Sequence, residues 1–588
     1  MRGKNLFWTG CLLFLSACGG GGGVHRPPPP PPPPSITLTT LVPGYTVAGT
    51  GDNTVYVNGN GFTTSSVVQW NGAALPTTFG TSQIVSASIS SSLITLPGTT
   101  NITVKDSSSG ATSNSLPFGI ASAAATTAGV VAMITVAPDG SPANDDSLVQ
   151  PSISATGRYV AFQSAATNLA PGPSSGYQEI YERDTCIEAP SACTPNTIRV
   201  TVTYDGSPVN GHSRHSAISA EGRYAAFESS ATNILPNSGD CSPSTGLACV
   251  FLRDTCIGAP SGCAPSTSAI SVDMNGTIVR GGGTAVTPDG QFVVFGSPAP
   301  NVALGETTGI GDAFIRDTCN GTSSGCTPGT TLVSASFNGS PRDAYSGPSG
   351  VSPTGRFVAF QSWATDIVPN TTVVPGDFWR DTCIGASSAC TPGTMRVDVT
   401  ASGGEPNNGV FNLSIPAISS DGRLVAFSST ATNLVSTNAN GMGNIYVRDT
   451  CAGATSGCTP TTSLVSLGND GSVGNWSSGN QSMTADGRFV AFASLASNLV
   501  PGDTFPAGGF KDIFVRDTCY GVASGCTPST VRVSVTNTPN PETQANDISD
   551  YPAMSADGHY VVFLSAATDL VPGGSNGHQM VFLAKTGF

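Results

Sequence analysis

Gly487–Val535 reads GRFVAFASLASNLVPGDTFPAGGFKDIFVRDTCYGVASGCTPSTVRVSV, and this stretch decides the fold because the chain repeats it in variant form. Its glycine-anchored opening recurs at Gly157, Gly222, Gly290, Gly355, Gly422, Gly487 and Gly558, at steps of 65, 68, 65, 67, 65 and 71 residues. Within one copy, apolar runs of strand length such as Tyr159–Phe162, Ile180–Tyr181 and Ile198–Val202 are separated by Gly, Pro, Asn and Asp, the pattern of short strands and tight turns. A unit of this size cannot bury its apolar faces alone. Neighbours must stack, and a closed ring of four-stranded sheets is the expected solution.

The two ends of the repeat region carry the closure. The segment from Val130 to Gly140, VVAMITVAPDG, matches Thr197–Gly206, TIRVTVTYDG, which is the last strand of the first copy. The seventh copy stops at Met580–Ala584 with no such strand of its own. The strand at 130–137 is therefore predicted to complete the last sheet, with Val131–Val136 beside Met580–Leu583, which leaves no open edge between first and last units.

The unit Ser-Ala-Asp-Gly-Arg-x-Val-Ala-Phe, seen in variants at Ser152–Phe162, Ser419–Phe427 and Ser555–Phe563, resembles the WD40-like propeller repeats of the TolB type over about residues 130–588. Departures are local: Gln291 and His559 replace the arginine, and Phe251-Leu-Arg253 replaces the usual Ile-Tyr-Val. The resemblance implies an all-β chain whose residues 121–588 form a seven-bladed β-propeller. Such a repeat speaks to fold more than to activity.

At 588 residues the chain exceeds one compact core, so several domains or one large repeat assembly are expected. The formal charge of −14 and a pI of about 4.6, with only 10% charged residues, exclude a nucleic-acid partner, since phosphate binding needs a basic face. Abundant Gly, Ser, Thr and Asn suit sheets and turns. No amphipathic helix is found beyond the leader.

Residues 1–17 carry Arg2 and Lys4, the apolar run Leu6–Leu15, then Ser16-Ala17-Cys18. That run is too short to span a bilayer and reads as a secretory signal. Leu15-Ser-Ala-Cys18 resembles the bacterial lipobox, which implies cleavage before Cys18 and lipidation of its thiol. Each buried methylene of the acyl chains contributes about 0.8 kcal/mol of anchoring. Gly19, rather than Asp, after the cysteine implies sorting to the outer membrane or cell surface, with the periplasm as the other facing. Residues 18–34 then hold Gly19–Gly23 and Pro27–Pro34, a flexible joint followed by a polyproline II rod of roughly 25 Å. This reads as a tether.

Residues 35–120 alternate as short strands at Ile36–Val42, Thr54–Gly59, Val67–Trp70, Ile84–Ile89 and Ile102–Val104, with turns at Asn60-Gly61 and Asn71-Gly72. Gly59–Phe62, Ser66–Gly72, Ser113-Asn114 and Phe118 resemble the IPT/TIG immunoglobulin-like family. The resemblance implies an Ig-like β-sandwich, and Phe62 and Trp70 are expected in its core.

Of the sixteen cysteines, Cys11 falls in the signal and Cys18 takes the lipid. Twelve form Cys-x6-Cys pairs: Cys186 with Cys193, Cys256 with Cys263, Cys319 with Cys326, Cys383 with Cys390, Cys451 with Cys458, and Cys519 with Cys526. Cys241 and Cys249 lie in an insertion of the second unit. Each Cys-x6-Cys pair falls between third and fourth strands, where a local disulfide is natural. Closing an eight-residue loop constrains the unfolded chain by about 2.5 kcal/mol at most. Disulfides imply an oxidising compartment, in accord with export. Zinc is the competing use, but two ligands per unit leave each site half filled, so no metal is assigned to the cysteines.

Candidate chemistry is sparse. The recurring Asp-Gly of Pro288-Asp-Gly290 and Ser420-Asp-Gly422 is turn chemistry, with glycine supplying positive φ. The Arg-Asp dipeptides from Arg183-Asp184 to Arg516-Asp517 recur and are expected to make equivalent bonds in each unit. His212-Ser-Arg-His215 offers two imidazoles without a third ligand and reads as a solvated loop. Gly321-Thr-Ser-Ser-Gly325 fits a hydrolase elbow in letters only, because it lies inside a Cys-x6-Cys hairpin. Asp145, Asp146, Asp343, Asp547 and Asp550 fall in linkers between units. In a propeller these share one face with the loops between second and third strands, so the rim should be acidic and offers ligands for calcium or a cationic partner.

No residue set supports a catalytic mechanism and no cofactor motif is found. The expected function is non-catalytic binding of a protein or glycan by the loop face of a monomeric, membrane-anchored protein. A polysaccharide-acting enzyme and a purely structural envelope spacer are the alternatives. Carboxylates converging about 5–10 Å apart at the channel mouth would favour glycoside chemistry.

Overall fold

The computed structural model describes residues 36–588 apart from 43–44, 48–52, 96–97, 122–128, 173–174, 190–192, 307–308, 322–324, 340–341, 387–388, 411–414, 437–439, 455–456, 504, 507, 523–524 and 537–542. The leader, Cys11, Cys18, the Gly/Pro tether and Ser323 of the Gly-x-Ser-x-Gly stretch lie outside the described residues. The described residues form nine sheets.

Two of these belong to the N-terminal part. Thr37–Val42, Asn53–Asn60, Ile84–Ile89 and Thr77–Thr81 make a four-stranded sheet, and Tyr45–Val47, Leu116–Ala121, Gly98–Asp106, Ser66–Trp70 and Ala73–Ala74 a five-stranded one. Their alternating apolar residues meet in a core of their own that includes Val55, Val57, Phe62, Val68, Trp70 and Phe118. Trp70 and Phe62 are buried there as expected, with the Trp70 and Phe118 rings 5.5 Å apart. Asn71 and Gly72 both take positive φ, 47° and 86°, the requirement of a two-residue hairpin turn. Four short strands, Tyr45–Val47, Ala73–Ala74, Thr77–Thr81 and Leu116–Ala121, were not expected from the sequence pattern. They are short or interrupted by Gly and Pro, which weakens their alternation.

The other seven sheets each have four antiparallel strands. Sheet 1 consists of Ser147–Ile153, Tyr159–Ser164, Glu179–Asp184 and Asn196–Arg199. Sheets 2 to 6 follow in chain order, with first strands Ser213–Ile218, Gly282–Val286, Ser346–Val351, Ala417–Ile418 and Ser478–Met483. Sheet 7 holds Ser549–Met554, Tyr560–Ser565 and Met580–Lys585, and its fourth strand is Gly129–Met133 from the start of the repeat region. Gly129 pairs with Lys585 and Met133 with Phe582 around one bulge. Ile134 N–H then donates to Val581 O at 2.8 Å, and Val581 N–H to Thr135 Oγ1 at 3.2 Å. The expected closing strand is thus in place beside Met580–Leu583.

Each first strand touches the first strand of the next sheet, and that of sheet 7 touches that of sheet 1. The seven therefore surround a central channel. Second strands such as Tyr159–Ser164 and Phe357–Ser362 are buried along their whole length, whereas first strands keep part of their surface open. Stacked rings fill the space between second and third strands, as in Phe162–Tyr181, Phe295–Phe314 and Phe427–Tyr446 at 5.9, 5.5 and 5.7 Å. Burying such a ring contributes about 1.5–3 kcal/mol.

The glycine that anchors the repeat has two physical duties. It turns the chain from first to second strand with φ of 82° at Gly157 and 76° at Gly487, a left-handed conformation open to glycine without strain. A side chain at Gly157 would also come within 2.7 Å of the Tyr560 ring on sheet 7. The later glycines meet, in turn, Tyr159, Tyr224, Phe292, Phe357, Leu424 and Phe489 of the preceding sheet. Because sheet 1 meets sheet 7 in the same way, this row of contacts has no end. The Asp of the turn serves as scaffold: Asp421 Oδ1 accepts from the Ser419 hydroxyl at 2.6 Å and from Arg423 N–H at 2.9 Å.

At the same end of sheets 1 to 6 lies a repeated staple. Arg158 donates to Asp184 through Nε at 3.0 Å and Nη2 at 2.8 Å. Asp184 Oδ1 also accepts Cys186 N–H at 2.8 Å, and Thr185 Oγ1 donates to Arg158 O at 2.8 Å. Cys186, held at φ 59°, then bonds to Cys193. Arg223–Asp254, Arg356–Asp381, Arg423–Asp449 and Arg488–Asp517 repeat the pair. The adjacent Arg and Asp of the dipeptide thus bond apart from one another, since Arg183 Nη1 donates to Thr197 Oγ1 at 2.9 Å. In sheet 3, Gln291 reaches Asp317 only at 3.4 and 3.5 Å. All seven expected disulfides are formed, including Cys241–Cys249. Asp184, Cys186 and Cys193 lie near enough to share an ion, but sulfurs joined in a disulfide offer no thiolate to a metal.

Candidate channel-mouth binding site

The first strands are where the sheets stop resembling one another. Most carry a bulge: pairing with the second strand slips between Leu148 and Ser152, Arg214 and Ala217, Gly282 and Thr284, Pro348 and Gly350, Gly479 and Ser482, and Asp550 and Ala553. Within five of these slips one residue takes a left-handed φ: Val149 at 56°, His215 at 49°, Gly283 at 66°, Asn480 at 53° and Tyr551 at 55°. For a β-branched or bulky residue this conformation is strained, and bulges re-aim the side chains they carry. The strain therefore falls on the strands that line the channel.

One end of this channel is built from the starts of first and third strands together. Ser213 N–H donates to Gln178 O, Ser346 to Gly311 O, Ser549 to Lys511 O and Ser147 to Gln579 O, each at 2.8 Å. The linkers between sheets and the loops between second and third strands thus share one face.

On sheet 2 the buried Glu228 carboxylate collects Gly283 N–H at 2.5 Å, His215 Nδ1 at 3.1 Å and Arg214 Nε at 3.3 Å. Burial pushes Glu228 up, but the hydrogen bond and charge of His215, Gly283 N–H and the charge of Arg214 outweigh it and hold it below the usual range. Arg214 and His215 themselves stay about half exposed, at 46% and 48% of their side chains. Glu228 is a departure from the repeat: its equivalents one position before the end of the second strand are Gln163, Gly296, Gln361, Ser428, Ala493 and Leu564.

Tyr345, immediately before the first strand of sheet 4, is 50% exposed and rests against Trp363 with ring centroids 5.7 Å apart. Its phenol is pushed above the ordinary value by partial desolvation and then by the charge of Glu228, and its ring lies against Gly311 at the mouth end of sheet 3, where a side chain would collide with it. A side chain at Gly347 would meet the Tyr345 hydroxyl at 2.7 Å. Further round, Lys511 Nζ pairs with Asp550 Oδ2 at 2.6 Å, and Asn480 Nδ2 donates to Asp550 Oδ1 at 2.7 Å. Trp476, Phe510 and Tyr551 are exposed on this side. At the tips of three linkers Tyr204, Met274 and Phe337 are exposed, their N–H groups bonded to Asn233 O, Asn301 O and Asp366 O of second-to-third-strand loops.

The aspartates expected on the rim divide among several duties. Asp145 Oδ1 accepts Asp146 N–H at 2.8 Å, and Asp547 Oδ1 accepts Ile548 N–H at 2.7 Å. Asp146 Oδ1 accepts Gln579 N–H at 2.8 Å and lies 3.2 Å from His578 Nδ1. Asp343 brackets Thr365 through backbone and hydroxyl, as Asn144, Asn210, Asn407, Asn475 and Asn546 bracket their own loops. Asp550 alone of the five sits in a channel strand, and it is neutralised by Lys511. These positions bring no cluster of three carboxylates to one point, so their geometry gives calcium no built site.

His212 and His215 differ from expectation. They flank and enter the strand Ser213–Ile218 rather than a solvated loop. Strand pairing with Tyr224–Ser229 overrides their polar sequence context. They do not converge on one ion: His212 Nδ1 accepts Gln178 N–H at 3.2 Å and its ring meets Tyr177 edge-on at 5.1 Å, whereas His215 faces Glu228. Arg214, Glu228, Tyr345, Trp363 and Lys511 were missed in the sequence. The signal that marks Glu228 is its departure from an otherwise uncharged repeat position.

No family model matches the chain, and no curated protein matches it. Among solved structures, a putative phosphatase of Bacteroides thetaiotaomicron is similar at 10% identity, covering 94% of this chain and 97% of that one, with a TM-score of 0.33. An auxiliary nutrient binding protein of the same organism gives 9% identity, 94% and 98% coverage and a TM-score of 0.33. A Trypanosoma rangeli sialidase mutant with trans-sialidase activity gives 10% identity, 66% and 57% coverage and a TM-score of 0.31. At such identities and scores these likenesses assign neither activity nor ligand.

Proposed function

We propose that this chain is an exported, non-catalytic binding protein whose ligand, a glycan or a protein, is held at the channel mouth. In this reading the seven sheets are a seven-bladed β-propeller of the TolB-type WD40-like kind, residues 35–120 are an IPT/TIG Ig-like spacer, and lipidated Cys18 with its tether fixes both to the envelope. The seven disulfides support an oxidising, exported location.

The observation that carries the binding function is the character of the mouth. Exposed rings stand beside polar groups whose positions are fixed, and Glu228 and Asp550 are already engaged, Glu228 by Arg214 and the His215 ring and Asp550 by Lys511. Glycoside hydrolysis needs one carboxyl free to give a proton and a second about 5–10 Å away to act on the sugar. Glu228 and Asp550 stand on sheets 2 and 7, with sheet 1 between them, each neutralised where it stands. Such groups orient a ligand.

The test uses the purified full chain with a panel of envelope and extracellular polysaccharides, following binding by calorimetry and product release by reducing-end assay. Binding without turnover supports the proposal. Turnover favours a polysaccharide-acting enzyme, and neither binding nor turnover, with no crosslinked protein partner in intact cells, favours a structural spacer.

A further inference from the structure

The chain has 23 lysines and arginines against 37 acids, so where its cations are free is informative. Beyond the leader, Arg26 of the tether and Lys105, most belong to the repeat. Arg158, Arg223, Arg356, Arg423 and Arg488 are fixed on the staple aspartates. Arg183, Arg253, Arg316, Arg380, Arg448 and Arg516 each donate to a fourth-strand threonine. Arg199, Arg342, Arg396 and Arg532 are paired with buried acids. Four lie outside these sets: Arg214 and Lys511, paired with Glu228 and Asp550, and Arg280 and Lys585. Lys585 ends the third strand of sheet 7, at the opposite end of the channel. The other three stand at the mouth.

Arg280 lies two residues before Gly282, against which Glu228 rests; a side chain there would meet Glu228 Oε1 at 3.2 Å. The residue is only partly buried, and among the described residues its guanidinium has no hydrogen-bond or ion-pair partner. Arg214 spends Nε on Glu228, which fixes the plane of its fork and leaves the edge between its two terminal nitrogens outside that bond. Between these arginines and Tyr345 the chain runs through Gly282 and Gly283, which let Glu228 and Pro348 of the neighbouring sheets come close to the backbone.

We propose that the mouth takes an acidic saccharide, its carboxylate held by Arg214 and Arg280 and its ring laid on Tyr345 against Trp363. The proposal rests on the glycan-binding reading above and narrows it. A planar guanidinium fork matches a carboxylate in two-point fashion, and a half-exposed phenol offers an apolar face with a polar edge, the two surfaces a sugar ring needs. The net negative charge of the whole chain is screened beyond about 8 Å at physiological ionic strength, so the local fork decides. A free acidic peptide shares the carboxylate but not the ring.

The experiment compares, on the full chain, an oligomer of hexuronic acid, its carboxyl-reduced neutral counterpart and an oligoglutamate, by calorimetry. The uronate oligomer should bind at least about tenfold more tightly than the neutral form. Arg214→Ala with Arg280→Ala should abolish that difference, and Tyr345→Ala should weaken both sugars. Arg280→Gln, which breaks no bond made in the structure, should lower uronate affinity without moving the melting temperature. Equal affinity for neutral and acidic sugars would overturn the proposal while leaving glycan binding standing. Binding of oligoglutamate as tight as the uronate would overturn the saccharide assignment, and binding of none of the three would overturn it together with the glycan reading.

Discussion

The staple at the turn end of six of the sheets and the first strand at the centre of each are made by the same repeat, yet they behave oppositely. Around the staple, Arg423–Asp449 is nearly superimposable in its bonds on Arg158–Asp184 and Arg488–Asp517. Along the channel, the first-strand residue paired with the penultimate residue of the second strand is Leu148, Arg214, Gly282, Gly347, Gly479 or Asp550. A staple sees the same neighbours in every sheet, so one solution serves all. Channel residues face each other across an axis and can differ without disturbing any sheet. Repetition marks what the fold requires, and departure marks what it leaves free.

The contrast breaks most severely at ring closure. Deleting residues 129–136 removes the buried Ala132, Met133, Ile134 and Val136 and bares the edge of Met580–Lys585. The expected outcome is loss of cooperative unfolding and aggregation, seen by near-ultraviolet circular dichroism and size-exclusion chromatography. A truncated chain that still unfolds in one transition would show the ring to be dispensable.

Within the staples, Asp449→Ala strips two charged hydrogen bonds and a backbone cap, and about 1–3 kcal/mol of stability should be lost after discounting for partial exposure. Asp317→Ala should lose visibly less, because Gln291 offers a neutral and longer contact. Urea unfolding of the two variants side by side measures the difference, and equal losses would deny the arginine its role.

A third prediction concerns a departure inside the scaffold. Glu182 sits where the other sheets carry Leu252, Ile315, Trp379, Val447, Val515 and Leu583. Both of its carboxylate oxygens are buried without a hydrogen-bond partner. Burial, with the charge of Asp184 adding to it, holds its pKa well above the ordinary value. The folded state then keeps a proton that the unfolded state has released, so the contribution of Glu182 to stability is most favourable at low pH and falls as pH rises from the ordinary carboxyl range through the folded pKa. Asp512, pushed up to about 6 by burial, adds a loss of the same sign below neutrality. Glu182→Leu should raise stability at neutral pH by about 1–3 kcal/mol and flatten its pH dependence. Melts at several pH values test this, and an unchanged slope would contradict it.

The smallest effect is expected in the channel. Tyr345→Ala and Arg280→Ala remove exposed or partly exposed groups and should change unfolding free energy by about 0.5 kcal/mol or less, while ligand affinity changes. A large destabilisation would make the mouth another part of the scaffold.

Much of the scaffold was readable in the chain. The Gly157–Gly558 period, the Cys-x6-Cys pairs and the orphan strand before Gly140 depend on local chemistry and on counting. First strands were harder, because SGPSGV at Ser346–Val351 has neither alternation nor β-branched density. It becomes a strand because its neighbours in the ring hold it there. The site was harder still: Glu228, Tyr345 and Gly283 come from three sheets, and no spacing along the chain links them.

The amino-acid order by itself determined that seven like units exist, where each turns, which cysteines lie close enough to join and which ends belong together. These follow from backbone preferences and from partners a few residues apart. Only the folded ring decided that Arg158 would choose Asp184 over a nearer acid, that Glu182 would be entombed without a partner, and that Arg214 and Arg280 would stand at one mouth. Those outcomes depend on what closure brings face to face, and through-space neighbours of that kind are set by geometry between sheets rather than by any local run of residues.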